Sequence, residues 1–247
     1  MSVKGLNSIK SLLSSNSYPG RGIIIGKSND GKKAMIAYFI MGRSENSRNR
    51  IFQRFEGGMR TKAFDESKLT DPSLIIYNPY LSACGGSVDI ITNGDQTNTV
   101  YDFMTQTPED EFAFENALNT REFEPDAPNF TPRISGALYY NFMEESFTYK
   151  MSILKSADGN PEVCNRYYYN YTPLDGAGHF IHTYECDGNP IPSFDGEPER
   201  VAIPDSAEDF AEEVWQNLNA DNKVSLFVRC VPLDGGAVSE IIINKNN

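Results

Sequence analysis

The chain has 247 residues, of which 39% are hydrophobic, 12% aromatic and 23% charged, an ordinary globular composition with enough apolar material for a sizeable core. Its 34 acidic residues against 22 basic ones leave a formal charge of -12. That balance argues against nucleic acid or an anionic membrane surface as a partner.

The spacing of Leu6, Ile9, Leu12 and Leu13 predicts a short helix over 6–15, ended by Tyr18-Pro19-Gly20. Strand-like runs follow at 22–26, 34–41 and 50–55, with Asn29-Asp30-Gly31 as a hairpin turn, and again at 73–77 and 87–93. Asn93-Gly94 is a turn, and Asp95 or Thr97 is expected to cap a helix near 97–106. A second helix is expected from the acidic Pro108-Glu109-Asp110-Glu111 to about Thr120. Beyond a Pro/Asp-rich loop at 124–132, strands are predicted at 133–142, 145–154, 166–171 and 179–185. A long loop over 186–204 leads to a helix at 206–219, capped by Asp205 or Ser206, with Phe210, Val214, Trp215 and Leu218 as its apolar stripe. Strands at 223–231 and 237–244 close the chain.

This order lacks the strand–helix alternation of a doubly wound parallel sheet. It predicts one α+β domain over 1–247, a four-layer αββα sandwich of two mostly antiparallel sheets with helices outside. The longest apolar run, Met35 to Met41, is strand-sized and far short of the roughly 20 residues that span a bilayer. The opening MSVKGLNSIKSLLSSN lacks a signal peptide's apolar centre. Cys84, Cys164, Cys186 and Cys230 are widely spaced, with no C-x-x-C, which argues against a zinc ribbon, a redox dithiol or a disulfide scaffold. We therefore expect a cytoplasmic protein whose reduced thiols pack within strands.

The charge is unevenly spread. Residues 1–62 carry 12 Lys/Arg and 3 Asp/Glu, a net of +9, whereas the remainder carries 10 and 31, a net of -21. The basic part is densest around Arg43, Arg48, Arg50, Arg54 and Arg60. Arginine's planar fork suits phosphate or carboxylate, and the negative surroundings favour a small anion over a polymer. The chain has two histidines, His179 and His182. Three residues apart on a strand, they point to opposite faces and cannot share a metal, so no metal site is expected. No G-x-S-x-G, P-loop or G-x-G-x-x-G is present. Polar clusters remain at Asn78-Pro79-Tyr80, at 92–95, at Glu124, Asp126, Asn129, Thr131 and Arg133, and at Thr183-Tyr184-Glu185.

In this order the clusters resemble the archaeal-type IMP cyclohydrolase family and its bacterial relatives. The matching pieces are Y-P-G-R-G-I-I-I-G (18–26), G-R-S-E-N-S-R-N-R (42–50), N-P-Y (78–80), T-N-G-D-Q-T-N-T (92–99), F-E-P-D (123–126), T-P-R-I (131–134) and T-Y-E (183–185). Each is weakly specific, but their common order over 18–185 is much more so. The resemblance implies a fold similar to the N-terminal-nucleophile hydrolases without their processed nucleophile. It implies closure of 5-formamidoimidazole-4-carboxamide ribotide to IMP with loss of water, with no metal or redox cofactor. By the same resemblance Arg50 is the catalytic cation, with Arg48 as the alternative, and Glu124 is the proton-transfer group. Arg21, Asn93, Thr131 and Arg133 would hold the phosphate or the base, Tyr80 would reach the ring, and Tyr184 and Glu185 would contact the ribose or order the neighbouring strand. The archaeal pattern has a second tyrosine three residues after N-P-Y, where this chain has Ala83, so that hydroxyl must come from elsewhere or be lost. The segments 1–17 and 186–204 are additions suited to homo-oligomer assembly or to closing over the ligand. A related amide or nucleotide hydrolase, or a non-catalytic purine-nucleotide sensor, is the competing reading of the same scaffold.

Overall fold

A computed structural model describes residues 5–70, 72 and 75–246. Its thirteen described strands form two antiparallel sheets. The first has the order β11 (Glu199–Ala202), β10 (Ala177–His182), β1 (Arg21–Lys27), β2 (Lys33–Met41), β12 (Lys223–Pro232) and β13 (Ser239–Asn244). The second runs in sequence order through β3 (Arg50–Phe55), β4 (Gly58–Ala63), β5 (Tyr80–Ala83), β6 (Val88–Thr92), β7 (Arg133–Asn141), β8 (Ser146–Ala157) and β9 (Asn160–Tyr171).

The apolar runs fail to alternate because both faces of each sheet are covered. From β1 and β2, Ile23, Ile25, Ile36, Tyr38 and Ile40 point between the sheets, against Ile91, Ile134, Tyr149 and Met151. Their neighbours Ile24, Met35, Ala37, Phe39 and Met41 point outward onto helices α1 (Ile9–Ser15) and α5 (Ala207–Asn217), through Ile9, Leu13, Phe210 and Val214. On the far side, Ile90, Ala137 and Leu154 meet Val100, Met104, Phe114 and Leu118 of α3 (Gln96–Gln106) and α4 (Ala113–Asn119). The layers are thus helix, sheet, sheet, helix: the predicted αββα sandwich. A fifth described helix, α2 (Glu45–Arg48), is a single turn. No described helix is long and apolar enough to cross a membrane.

Several local expectations need correction. The strand at 73–77 is not formed over 75–77, and residues 73 and 74 lie outside the described residues. There the Thr61 side chain takes up the backbone, its Oγ1 donating to the carbonyls of Ile75 and Tyr77 and accepting from the Tyr77 N–H. Short β4, β5 and β11 were not predicted. The second helix starts at Ala113, because the Asp110 carboxylate folds the acidic segment into a turn by accepting from the Phe112 N–H and from Asn116. Asp95 occupies the N-cap of α3 without a side-chain capping bond; its carboxylate faces Arg121 and Arg133 instead. Ser206 does cap α5. Of the cysteines, Cys230 is buried and Cys164 is half-buried in β9 against the core, whereas Cys84 and Cys186 are exposed, so strand packing accounts for the first two and not for the others. His179 and His182 do face opposite sides of β10: His179 stacks on Tyr171 between the sheets, and His182 lies against Phe180 and Phe194.

Candidate functional site

At one end of the sandwich β1, β3 and β7 begin and β2, β6 and β10 end. Each of the three starting strands opens with an arginine: Arg21, Arg50 and Arg133. Arg21 follows Gly20, which has φ 78° and lies so close to Thr183 and the Tyr184 ring that a Cβ would stand 2.2 Å from Thr183 Oγ1. Only glycine meets both demands, and the resulting turn brings the Arg21 N–H to Thr183 Oγ1 at 3.1 Å. Arg50 follows α2, whose capping box pairs Ser44 with Ser47. Its Nε donates to the Ser47 carbonyl at 2.8 Å and its Nη2 to the Met41 carbonyl at 3.4 Å.

Glu124 comes from the loop before β7. That loop closes on itself: the Glu124 N–H donates to the Thr131 carbonyl at 2.9 Å, and Asp126 accepts from the Thr131 N–H at 2.6 Å and from its hydroxyl. Thr131 Oγ1 also bonds the Tyr184 hydroxyl, and the Tyr184 ring stacks on Tyr18.

These elements enclose a cavity of about 320 Å³ lined by Tyr18, Arg21, Arg43, Arg50, Glu124, Asp126, Asn129, Thr131, Tyr184 and Ile191 among others. Arg50 and Glu124 are each 1% exposed. Arg21 Nη2 approaches Glu124 Oε2 at 3.4 Å, a single long contact that compensates charge incompletely. Burial therefore prevails and holds the Glu124 carboxyl above the usual carboxylate range, against the pull of Arg21, Arg133 and Arg50. Burial likewise lowers the Arg50 pKa, with repulsion from Arg21 adding to it. Arg50 Nη1 and Arg21 Nε are buried and have no hydrogen-bond partner among the described residues. A buried cationic donor without a partner is costly, and a ligand oxygen would relieve that cost.

Arg133 stands behind the cavity. Its Nη1 lies 2.7 Å from both Gln96 Oε1 and Asp95 Oδ1. A Cβ on Gly94 would stand 2.5 Å from that Nη1 and 3.5 Å from Glu124 Oε1, so guanidinium and carboxylate crowd the same glycine. Asn93 is buried and spent on structure, donating to the Pro132 carbonyl and accepting from the Ile134 N–H and Gln96 Nε2. Three more expected residues lie elsewhere. Arg48 turns away, its Nε donating to the Gly42 carbonyl and its Nη2 to Asn222, and it borders a separate basic groove with Lys223 and Lys245. Tyr80 is inside the sandwich, donating to Asp89 at 2.8 Å and packed on Phe227. Glu185 borders a neighbouring groove with Asn16 and His182.

Two further tyrosines stand near the arginines of the cavity without lining it. The hydroxyls of Tyr38 and Tyr77 are 2.7 Å apart and buried, within electrostatic reach of both Arg21 and Arg50. Tyr77 directly precedes the N-P-Y motif, which is a usable signal in hindsight. Tyr38 lies within the apolar run 34–41, where nothing distinguishes it from a core tyrosine. Among the described residues no group of three or more His, Cys, Asp or Glu could hold a metal ion.

A comparison with curated proteins gave no match. The family model described as IMP cyclohydrolase-like protein matches residues 18–235, a span that contains every element bordering the cavity. The chain belongs to the IMP cyclohydrolase-like protein family.

Proposed function

We propose that the chain is an IMP cyclohydrolase, converting 5-formamidoimidazole-4-carboxamide ribotide to IMP and water as a cytoplasmic enzyme of purine synthesis. The observation that carries this reading is the pair of buried guanidiniums, Arg21 and Arg50, offering unpartnered N–H groups beside Glu124 in one cavity. Its volume of about 320 Å³ falls in the ordinary range for small-molecule sites.

The carboxamide nitrogen is a weak nucleophile, since its lone pair is delocalised into its own carbonyl. Holding it against the formyl carbon supplies much of the acceleration, because both groups belong to one molecule. As the N–C bond forms, the formyl oxygen gains negative charge, which the Arg50 guanidinium stabilises. A proton from the carboxamide nitrogen passes to that oxygen to give a hydroxyl; the C–O bond then breaks as Glu124 gives its proton to the departing hydroxide, which leaves as water, and the formamide nitrogen, forming the ring C=N bond, returns a proton to the carboxylate. The step moves no electrons between molecules and needs no redox partner. Arg21 orients Glu124, and Thr131 and Tyr184 border the ribose, with Arg133 as the charge behind Glu124. The phenols that line the cavity are Tyr18 and Tyr184; the buried Tyr38–Tyr77 pair acts on it through the two arginines.

The test is turnover: purified protein given the formamido ribotide, without added metal or folate, should form IMP, followed as a change in absorbance. Folded protein that binds the ribotide without converting it would leave the sensor reading in place.

A further inference from the structure

Residues 183–185 and 192–194 form a short antiparallel ladder. The Phe194 N–H donates to the Thr183 carbonyl and the Glu185 N–H to the Pro192 carbonyl, each at 3.0 Å, and Tyr184 bridges Ser193. Between them, 186–191 projects as a strap, and its Ile191 side lines the cavity that holds Arg50 and Glu124. The strap is pinned at two places. The Ile191 N–H donates to Asn129 Oδ1 at 3.0 Å. Arg43 Nη1 donates to Asp187 Oδ1 at 2.5 Å and to the Gly188 carbonyl at 2.9 Å. Arg43 itself lines the cavity, its guanidinium 5.1 Å from the Tyr18 ring centroid.

The Arg43–Asp187 pair is solvent-accessible, with side chains 36% and 46% exposed. An ion pair of that kind contributes only about 0–1 kcal/mol, so it can open reversibly. A phosphate monoester carries roughly -1.5 to -2 charge at neutral pH and three acceptor oxygens, against a single charge on a carboxylate. It would outcompete Asp187 for the same guanidinium.

We propose that 186–191 is a latched strap at the cavity mouth, in which Asp187 occupies Arg43 until the phosphate of an entering ligand takes that guanidinium over. This rests on reading the cavity as a ribotide site. Arg43 then reads the phosphate, whereas Arg50 and Glu124 face the reacting groups. The exchange couples ligand entry to loosening of the strap, because one of its two pins is the bond the phosphate replaces.

The experiment uses the full chain and Asp187→Asn, which preserves shape and removes the competing charge. Affinity for IMP should rise about fivefold, the equivalent of roughly 1 kcal/mol of surface ion pairing, while affinity for inosine, which lacks the phosphate, stays unchanged. Amide hydrogen exchange over 186–191 should quicken in the ligand-free variant. Glu45→Gln, on the adjacent helix, removes an equal charge that does not touch Arg43 and should leave both readouts alone. Unchanged or weaker IMP binding by Asp187→Asn overturns the latch, as does an equal gain from Glu45→Gln or unaltered exchange in the strap. If IMP binds neither protein, the ribotide reading fails; if it binds both equally, the latch fails alone.

Discussion

Two groups of buried charge lie between the same two sheets. Toward one end, Asp89 accepts from Tyr80 at 2.8 Å, Tyr140 at 2.8 Å and Arg229 Nε at 2.7 Å, and Arg229 Nη1 pairs with Glu240, which also meets Arg54. Toward the other end, Arg21, Arg50 and Glu124 share one contact of 3.4 Å, with guanidinium nitrogens left over. The residue types are the same, but the bonding is not. The Asp89 group is closed and joins β6 and β7 of one sheet to β12 and β13 of the other, an arrangement that stabilises because each charge is compensated in place. The open group keeps buried guanidinium N–H groups without a partner among the described residues, the feature on which the proposed function rests. Burial and charge alone do not separate the two; unspent hydrogen-bonding capacity does.

The largest effect is expected at the closed group. Asp89→Ala strands Arg229 and two tyrosine hydroxyls, and should cost about 3–5 kcal/mol of unfolding free energy, read by chemical denaturation. A loss below about 1 kcal/mol, within the range of a surface pair, would mean the network is not a clamp. At the open group the effect moves from stability to rate. Arg50→Ala and Glu124→Gln should each slow turnover at least about 10²-fold, with melting temperatures equal to or above the parent's because uncompensated buried charge is removed. Near-normal rates in both would refute the catalytic assignment.

A smaller effect tests the protonation state. Burial raises the Glu124 pKa, so a step that needs its proton is fast below that pKa and slows as pH rises through it. Glu124→Gln should lack that descending limb in its pH–rate profile. A rate that instead climbs with pH would make Glu124 a base. Tyr38→Phe or Tyr77→Phe should lower the rate by about tenfold, the equivalent of one neutral hydrogen bond, and an unchanged rate would reduce the pair to core packing. Arg48→Ala should change turnover least of all, within about twofold, as a surface substitution does; a large loss would return Arg48 to the site.

The long strands and the flanking helices α1, α3 and α5 were legible because their apolar periodicity extends over enough residues to be distinctive. The four-residue strands β5 and β11 are too short to show a period. In β4 the exposed Arg60 and Lys62 read as part of a basic cluster. The site was legible as a set of residue types and only partly as a set of positions. Asn93 and Tyr80 come from matching segments but their polar groups are spent on the fold, whereas the contacts of Arg43 with Asp187 and of Tyr38 with Tyr77 join segments remote in sequence.

The sequence by itself determined the layered architecture, because covered sheets demand continuous apolar runs and those are local. It also determined that a cluster of arginines and one midchain carboxylate were available to an anion. Only the tertiary structure put Arg48 and Arg50 in different surroundings. Two residues apart, one ends a helical turn facing Asn222 and the other opens a strand whose side chain enters the interior. Convergence of residues 21, 50, 124 and 184 depends on strand pairings remote in sequence, and no local pattern encodes which nitrogens those pairings leave without a partner.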